Sequence, residues 1–240
     1  MEHPILFLSL LLEMLGLPVP HTLVGETLLA KLVSPHMTYT WLVMAFLVLL
    51  PKLTLGKLEM IPGRGQNFWE AVVSGIEDFM AENMGREGAR MMFPMLATFA
   101  LYILVANIIG LMPGFMSPTS NLNITLGCTI IIFITTHILG VKFHGASYIK
   151  QFLGPIPWLI PLMFPIELIS HLARLLSLSI RLFGNIMAKE TLLGILFMLA
   201  GAYFAPLPIL CLGVLVSFVQ TLVFVLLSIL YFSAAMEHAH

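Results

Sequence analysis

Charge is what this sequence has least of. Only 10% of its 240 residues are Asp, Glu, Lys or Arg, and 59% are hydrophobic, whereas a soluble domain carries about 25% charged residues. Mean hydropathy is +1.01. A soluble fold has no means of hiding so much apolar surface, so the expected surroundings are a lipid bilayer. The charges nearly cancel, 11 basic against 12 acidic, which leaves no basic footprint for nucleic acid. Cysteine is almost absent. Cys128 and Cys211 lie far apart in apolar runs without metal-ligand spacing, so they read as small core hydrophobes. His238 and His240 close the chain with no cysteine nearby, and no metal site is expected there. There is no phosphate-cradling P-loop, no internal repeat and no low-complexity linker. No cofactor is implied. A cleaved leader is not expected either: residues 5–12 are apolar, but Glu2 precedes them, no basic stretch does, and Glu13 follows. That pattern reads as a retained segment at the membrane surface.

What is present is a series of apolar runs. The first covers 38–57, where Lys52 and Lys57 can snorkel to the interface. Pro62, Gly63, Arg64 and Gly65 make a turn. Residues 66–83 have an apolar stripe of Phe68, Val72, Ile76 and Phe79, with Glu70, Glu77, Asp78 and Glu82 largely off it. This is the pattern of a helix lying in the membrane interface. Runs at 88–112 and 121–142 form a helical hairpin around Pro113, Gly114, Ser117 and Pro118. Residues 159–236 hold two long helices parted by Pro206 and Pro208. The apolar stretch 159–205 is too long for one perpendicular span and fits either a strongly tilted helix or a helix pair. The expectation is an all-α integral membrane protein, one membrane domain over 1–240. It has an outer N-terminal segment (1–37), five transmembrane segments and an interfacial amphipathic helix, the last two spans being long and tilted.

Basic residues orient it. If the loop after the first span faces the cytoplasm, so do Lys52, Lys57, Arg64, Arg86, Arg90, Lys142 and Lys150, and only Lys31 lies outside. The N-terminus is then outside and the C-terminus inside.

The fourth span carries polar groups at membrane depth, where each charge costs about 2.5–3.5 kcal/mol. Glu167, Ser170, Arg174, Ser177, Arg181 and Asn185 recur at intervals of three or four residues and so share one helix face, a stripe roughly 27 Å long. Glu190 points about half a turn away from Arg181. Arg174 and Lys189 fit either snorkelling near helix ends or a role in the site. The serines can bond their own helix carbonyls, and His171, off the stripe, reads as a packed or surface histidine. Arg181 has long apolar runs on both sides and is the residue a structural role explains worst. Gln220 in the last span, flanked by Ser217 and Thr221 and seven residues after Gly213, fits either a partner for the stripe or helix-packing glue. Asn107 is isolated in the second span. Asn121 and Asn123 open the third, where capping competes with any functional reading.

The segment Ser179-Ile180-Arg181-Leu182-Phe183-Gly184-Asn185-Ile186-Met187-Ala188-Lys189-Glu190 resembles the signature of subunit a of the F-type ATP synthase. Pro165-Ile166-Glu167, Asn107 to Pro113, Pro118 to Thr125, and Gln220-Thr221 with the apolar run after them extend the resemblance over essentially the whole chain. It implies a non-catalytic stator subunit in a bacterial inner membrane. The implied partners are a c-subunit ring with one mid-membrane carboxylate per subunit, the subunit b peripheral stalk and the rest of the complex. Two aqueous half-channels would reach the ring from opposite sides. Arg181 matches the family's essential arginine. Asn185, Glu190, Gln220 and Asn107 match the outer half-channel, and Glu167, Ser170 and Ser177 the inner one. The sequence departs from the family at Lys189, where many relatives have a small residue or histidine, and at Gly213, where some carry a compensating histidine. Gly110 and Phe115 stand where some have acids. The outer entrance is expected to use Lys189 and Asn121 instead, with Glu190 pairing Lys189.

Two rival readings remain on the residues alone. A stand-alone transporter binding an anion at Arg181 would show inverted repeats or broken helix pairs, which the sequence lacks. A purely structural subunit leaves the stripe as needless cost.

Overall fold

The computed structural model describes residues 35–56, 59–112, 115–145, 148, 160–200 and 207–236. Residues 1–34 of the N-terminal segment, with Lys31, Lys57, Lys150, His238 and His240, lie outside the described residues. All regular structure among the described residues is helical: α1 (Pro35–Thr54), α2 (Arg64–Ile109), a 3-10 turn (Pro118–Ser120), α3 (Leu122–His144), α4 (Ile160–Ala200) and α5 (Leu207–Met236). Each of the five α-helices is long and apolar enough to cross a membrane, as the composition leads one to expect.

Local chemistry sets the breaks. Gly85 is the one non-helical residue within α2, at φ 76° and ψ 158°, a region essentially closed to residues with a Cβ. It separates the amphipathic stretch from the apolar one. Asn121 caps α3, its side-chain oxygen accepting the Asn123 N–H at 2.9 Å. At the other end of α3, Gly145 adopts φ 55° after Lys142 and His144 in the last turn. α4 runs 41 residues without interruption through Pro165, roughly 60 Å against an apolar bilayer thickness of about 30 Å. Of the two alternatives for this stretch, the single helix is the one realised, so the polar stripe rides on one rod.

In lipid, burial of apolar surface gives little drive for helices to associate, and close packing of small residues replaces it. α2 packs chiefly on α5, and α3 on α4 and α5. Leu96, Ala100, Ile103 and Asn107, spaced four, three and four apart, lie on the buried face of α2. α5 answers with Ser217, Thr221, Phe224 and Ser228. Its hydroxyls donate back to the carbonyl one turn earlier, at 2.7 Å for Ser217 and 2.8 Å for Thr221 and Ser228. That satisfies them internally and leaves a smooth surface for α2. Outward, α3 shows Ile130, Ile134, Ile138 and Val141, each at least two-fifths exposed, an exposed apolar stripe. Three contacts bring one set of helix ends together: Trp69 Nε1 to Thr54 Oγ1 at 2.7 Å, His144 Nε2 to the Ala235 carbonyl at 3.1 Å, and Met236 against Gly88. Asn107, Ser117, Glu190 and Gly213 gather at the opposite end.

Candidate functional site

α4 is apolar toward the bundle and polar away from it. Leu178, Leu182 and Ile186 are at most 1% exposed, while Arg174, Ser177, Arg181 and Asn185 are exposed on the outer face. Glu167 and Ser170 are half-buried at the start of the same stripe. Arg181 Nη2 donates to Ser177 Oγ on its own helix at 3.5 Å, and the exposed apolar Leu176, Ile180 and Met187 flank it. A soluble helix has the same sense of polarity; what sets this one apart is that its exposed arginine stands among exposed large apolar side chains. A guanidinium carries five donors, and among the described residues one long bond to a serine occupies few of them.

One turn beyond Arg181, Asn185 Nδ2 donates to Gln220 Oε1 on α5 at 2.5 Å. That bond ties the stripe to the buried face of α5. Among the described residues, Gln220 Nε2 and Asn107 Nδ2 are both buried without a hydrogen-bond acceptor. Lys189, 8% exposed, donates from Nζ to the Asn107 carbonyl at 3.2 Å and to Ser217 Oγ at 3.4 Å. Gly213 makes that placement possible: a Cβ there would lie 3.2 Å from Lys189 Cδ and 2.4 Å from Leu111 Cδ2. Glu190 Oε1 accepts the Ser117 backbone N–H at 2.9 Å. From Ser117 a hydroxyl chain leads inward. Ser117 Oγ and Thr119 Oγ1 are 2.7 Å apart, Thr119 donates to Asn107 Oδ1 at 2.9 Å, and Ser117 is also 3.0 Å from the Ala106 carbonyl. Two hydroxyl protons serve three contacts, so the chain has alternative donor arrangements. Buried donors lacking a protein acceptor are what an ordered water requires.

At the opposite end of α4, Glu167 Oε1 lies 3.3 Å from His171 Nε2, one turn on. The Arg174 guanidinium sits over the Tyr231 ring of α5 at 5.9 Å, a cation–π distance. Glu167 and Arg174 therefore each have a partner off the main stripe.

The ATP synthase A chain family matches residues 37–233. The chain is 68% identical to ATP synthase subunit a of Desulfotalea psychrophila, 52% to that of Syntrophobacter fumaroxidans and 53% to that of Desulfosudis oleivorans, each over the full length of both chains. The chain belongs to the ATP synthase A chain family. With five helices able to cross a bilayer, it is a multi-pass membrane protein.

Within this member of the family, the structure brings Asn185 to Gln220 and Lys189 to Asn107. It leaves Arg181, Ser177 and Arg174 facing outward. Lys189 and Glu190, adjacent in sequence, turn to different partners, the Asn107 carbonyl and the Ser117 amide. Asn121 uses its side-chain oxygen as a helix cap. Ser117 and Thr119 lie in the loop between two spans and carry no helical periodicity in the sequence. The signal was three hydroxyls in four residues, Ser117, Thr119 and Ser120, between two apolar spans. His171, off the stripe, stands at i,i+4 spacing from Glu167, the one signal of their contact in the sequence.

Proposed function

We propose that the chain is the non-catalytic, proton-translocating stator subunit of an F-type ATP synthase, in which Arg181 faces the carboxylates of a c-subunit ring and separates two half-channels. The observation that carries this reading is Arg181 itself, exposed on an outward face with one 3.5 Å bond to its own helix. Left in hydrocarbon such a group costs about 2.5–3.5 kcal/mol, so it calls for an anionic partner at the same depth. At 4 Å and an effective dielectric of about 20, a carboxylate opposite it gains about 4 kcal/mol. That lowers the carboxylate's proton affinity by about three units and favours release at that point of the ring. Arginine holds its own proton at any cellular pH, so it drives release without passing the proton across.

Residues on either side of Arg181 suit two separate paths. Glu190, Ser117, Thr119, Asn107 and Lys189 lead to Gln220 and Asn185, one turn above it. Glu167, Ser170, Arg174 and Ser177 approach from below. On the positive-inside rule, the end bearing Lys52, Arg86, Arg90 and Lys142 faces the cytoplasm of a bacterial inner membrane. The Glu190 path then opens outward and the C-terminus lies inside. The segment of α2 before Gly85, with Ile76 and Phe79 packed on the core and Glu70, Asp78 and Glu82 exposed, lies in the interface. α4 and α5, longer than the bilayer is thick, are tilted. Subunit b and the remaining subunits complete the complex and supply the nucleotide chemistry.

The test is Arg181→Ala in the assembled complex in membrane vesicles. ATP-driven proton pumping and ATP synthesis are expected to fall to background while the complex still assembles. Pumping at the unsubstituted rate would overturn the reading.

A further inference from the structure

The stripe on α4 is not the only titratable assembly at the Lys142 end. His137 on α3 and His171 on α4 face each other across the helix pair, ring centroids 5.3 Å apart and tilted 45°. His137 Nδ1 lies 2.7 Å from Tyr148 Oη. His171 Nε2 lies 3.3 Å from Glu167 Oε1. Tyr148 is held against α3 because residue 140 is glycine: a Cβ there would stand 2.3 Å from the Tyr148 ring. Phe133 packs edge-on to His137 at 4.3 Å and fixes its plane. Beside the pair lies a cavity of about 30 Å³, lined by Thr129, Thr136, His171, Arg174 and Tyr231 among others. That is room for one water. Thr129 and Thr136 donate to their own helix carbonyls at 2.7 and 2.8 Å, so their oxygens turn lone pairs outward as acceptors.

We propose that His137 and His171 form a proton relay at this end of the bundle, exchanging protons with Glu167 and held in register by Tyr148. It rests on the proton-translocation reading above and extends it to residues outside the α4 stripe. Imidazole suits the task, since it accepts a proton on one nitrogen and releases another from the second. A proton taken from solvent water by the Glu167 carboxylate passes to His171 Nε2. His171, then cationic, releases a proton from its other nitrogen, either to His137 across the 5.3 Å ring pair or by way of the cavity onward along the stripe. Glu167 is returned to its anion, and the histidine resets by exchanging tautomers. Among the described residues, the groups facing the pair include Glu167 and Arg174 from α4, Tyr231 from α5 and Tyr148 beyond α3; His144, nearer the end of α3, is bonded to the Ala235 carbonyl. Tyr148 is a positioning residue. Burial holds its phenol above the ordinary range, with Arg174 pulling down and Glu167 pushing up. It keeps its proton and accepts from His137 Nδ1–H, which leaves Nε2 of that ring with the lone pair that takes a proton from His171.

The experiment uses the assembled complex in inverted vesicles, with the Lys142 end facing the bath, and follows ATP-driven proton pumping across bath pH. His137→Gln/His171→Gln is expected to pump about tenfold slower at alkaline pH, where free protons are scarce, and to approach the unsubstituted rate at acidic pH. Imidazole added to the bath restores the alkaline rate. Tyr148→Phe, which keeps the ring on Gly140, gives the same pH dependence with a smaller loss. It carries the test alone if the double variant fails to assemble. Unchanged rates at every pH overturn the relay, as does a uniform loss that imidazole does not restore. Arg181→Ala serves as control. Pumping by that variant refutes the translocation reading, whereas normal pumping by the histidine variants refutes the relay alone.

Discussion

Gly213 is the point where the packing around Lys189 is tightest, and a side chain there has calculable consequences. An alanine Cβ would stand 2.4 Å from Leu111 Cδ2 and 3.2 Å from Lys189 Cδ. Leu111 Cδ2 is the end of a rotatable side chain, so it can leave at the cost of an off-rotamer χ angle, about 0.5–1.5 kcal/mol. Lys189 need move only a few tenths of an ångström. Its Nζ bonds, however, are already 3.2 Å to the Asn107 carbonyl and 3.4 Å to Ser217 Oγ, and that shift takes the longer one out of range. Valine adds two methyl groups in the same gap and displaces Lys189 altogether, forfeiting a charge-assisted bond of about 1.5–3 kcal/mol. Each 1.4 kcal/mol is about tenfold in an equilibrium. Gly213→Ala is therefore expected to lower proton pumping several-fold per assembled complex, and Gly213→Val by more than about tenfold. Leu111→Ala added to Gly213→Ala should recover part of the loss, because it removes the closer of the two contacts. Pumping by Gly213→Val at the unsubstituted rate would show that Lys189 does not occupy this gap.

Further outcomes follow from the same geometry. Thr119→Val leaves Asn107 Oδ1 buried without its donor, a penalty of about 1–3 kcal/mol, read as a lower thermal midpoint of the solubilised complex. Serine at that position should behave like threonine. Asn185→Leu and Gln220→Leu break one shared hydrogen bond. Their effects on pumping should be non-additive in a double-mutant cycle, and strict additivity would separate the two residues. Gly85→Ala forces a side chain into a region L-residues avoid, at about 1–3 kcal/mol. Reduced assembly is expected by immunoblot of membranes, and normal levels would mean the kink relaxes. Glu190→Gln keeps an acceptor for the Ser117 amide but removes the charge, so it should slow proton uptake from the outer side across pH. An unchanged rate would take Glu190 off the path.

The apolar runs made the five helices legible because a bilayer enforces length and hydropathy together. The stripe from Glu167 to Asn185 was equally legible, since its three-and-four spacing places it on one face whatever the neighbours are. Which way that face points was not. Only the packing of Leu178, Leu182 and Ile186 into the bundle turns Arg181 outward. The single-helix form of α4 was likewise open, because Pro165 near its start fits either a break or a tolerated first-turns proline. Lys189 and Glu190 are neighbours on a helix and project about 100° apart, so their hydrogen bonds reach different elements, which adjacency in sequence does not reveal. Ser117, Thr119, His137 and Tyr148 come from loops or separate helices. No periodicity links them, and tertiary contact alone does.

The central claim is that Arg181 faces a carboxylate supplied by another subunit. The most direct measurement is a structure of the assembled membrane sector, read for the distance from the Arg181 guanidinium to the nearest ring carboxylate. The account predicts contact at about 4 Å or through one water. A ring docked on another face of the bundle, with Arg181 turned to lipid or to an uncharged chain, contradicts it.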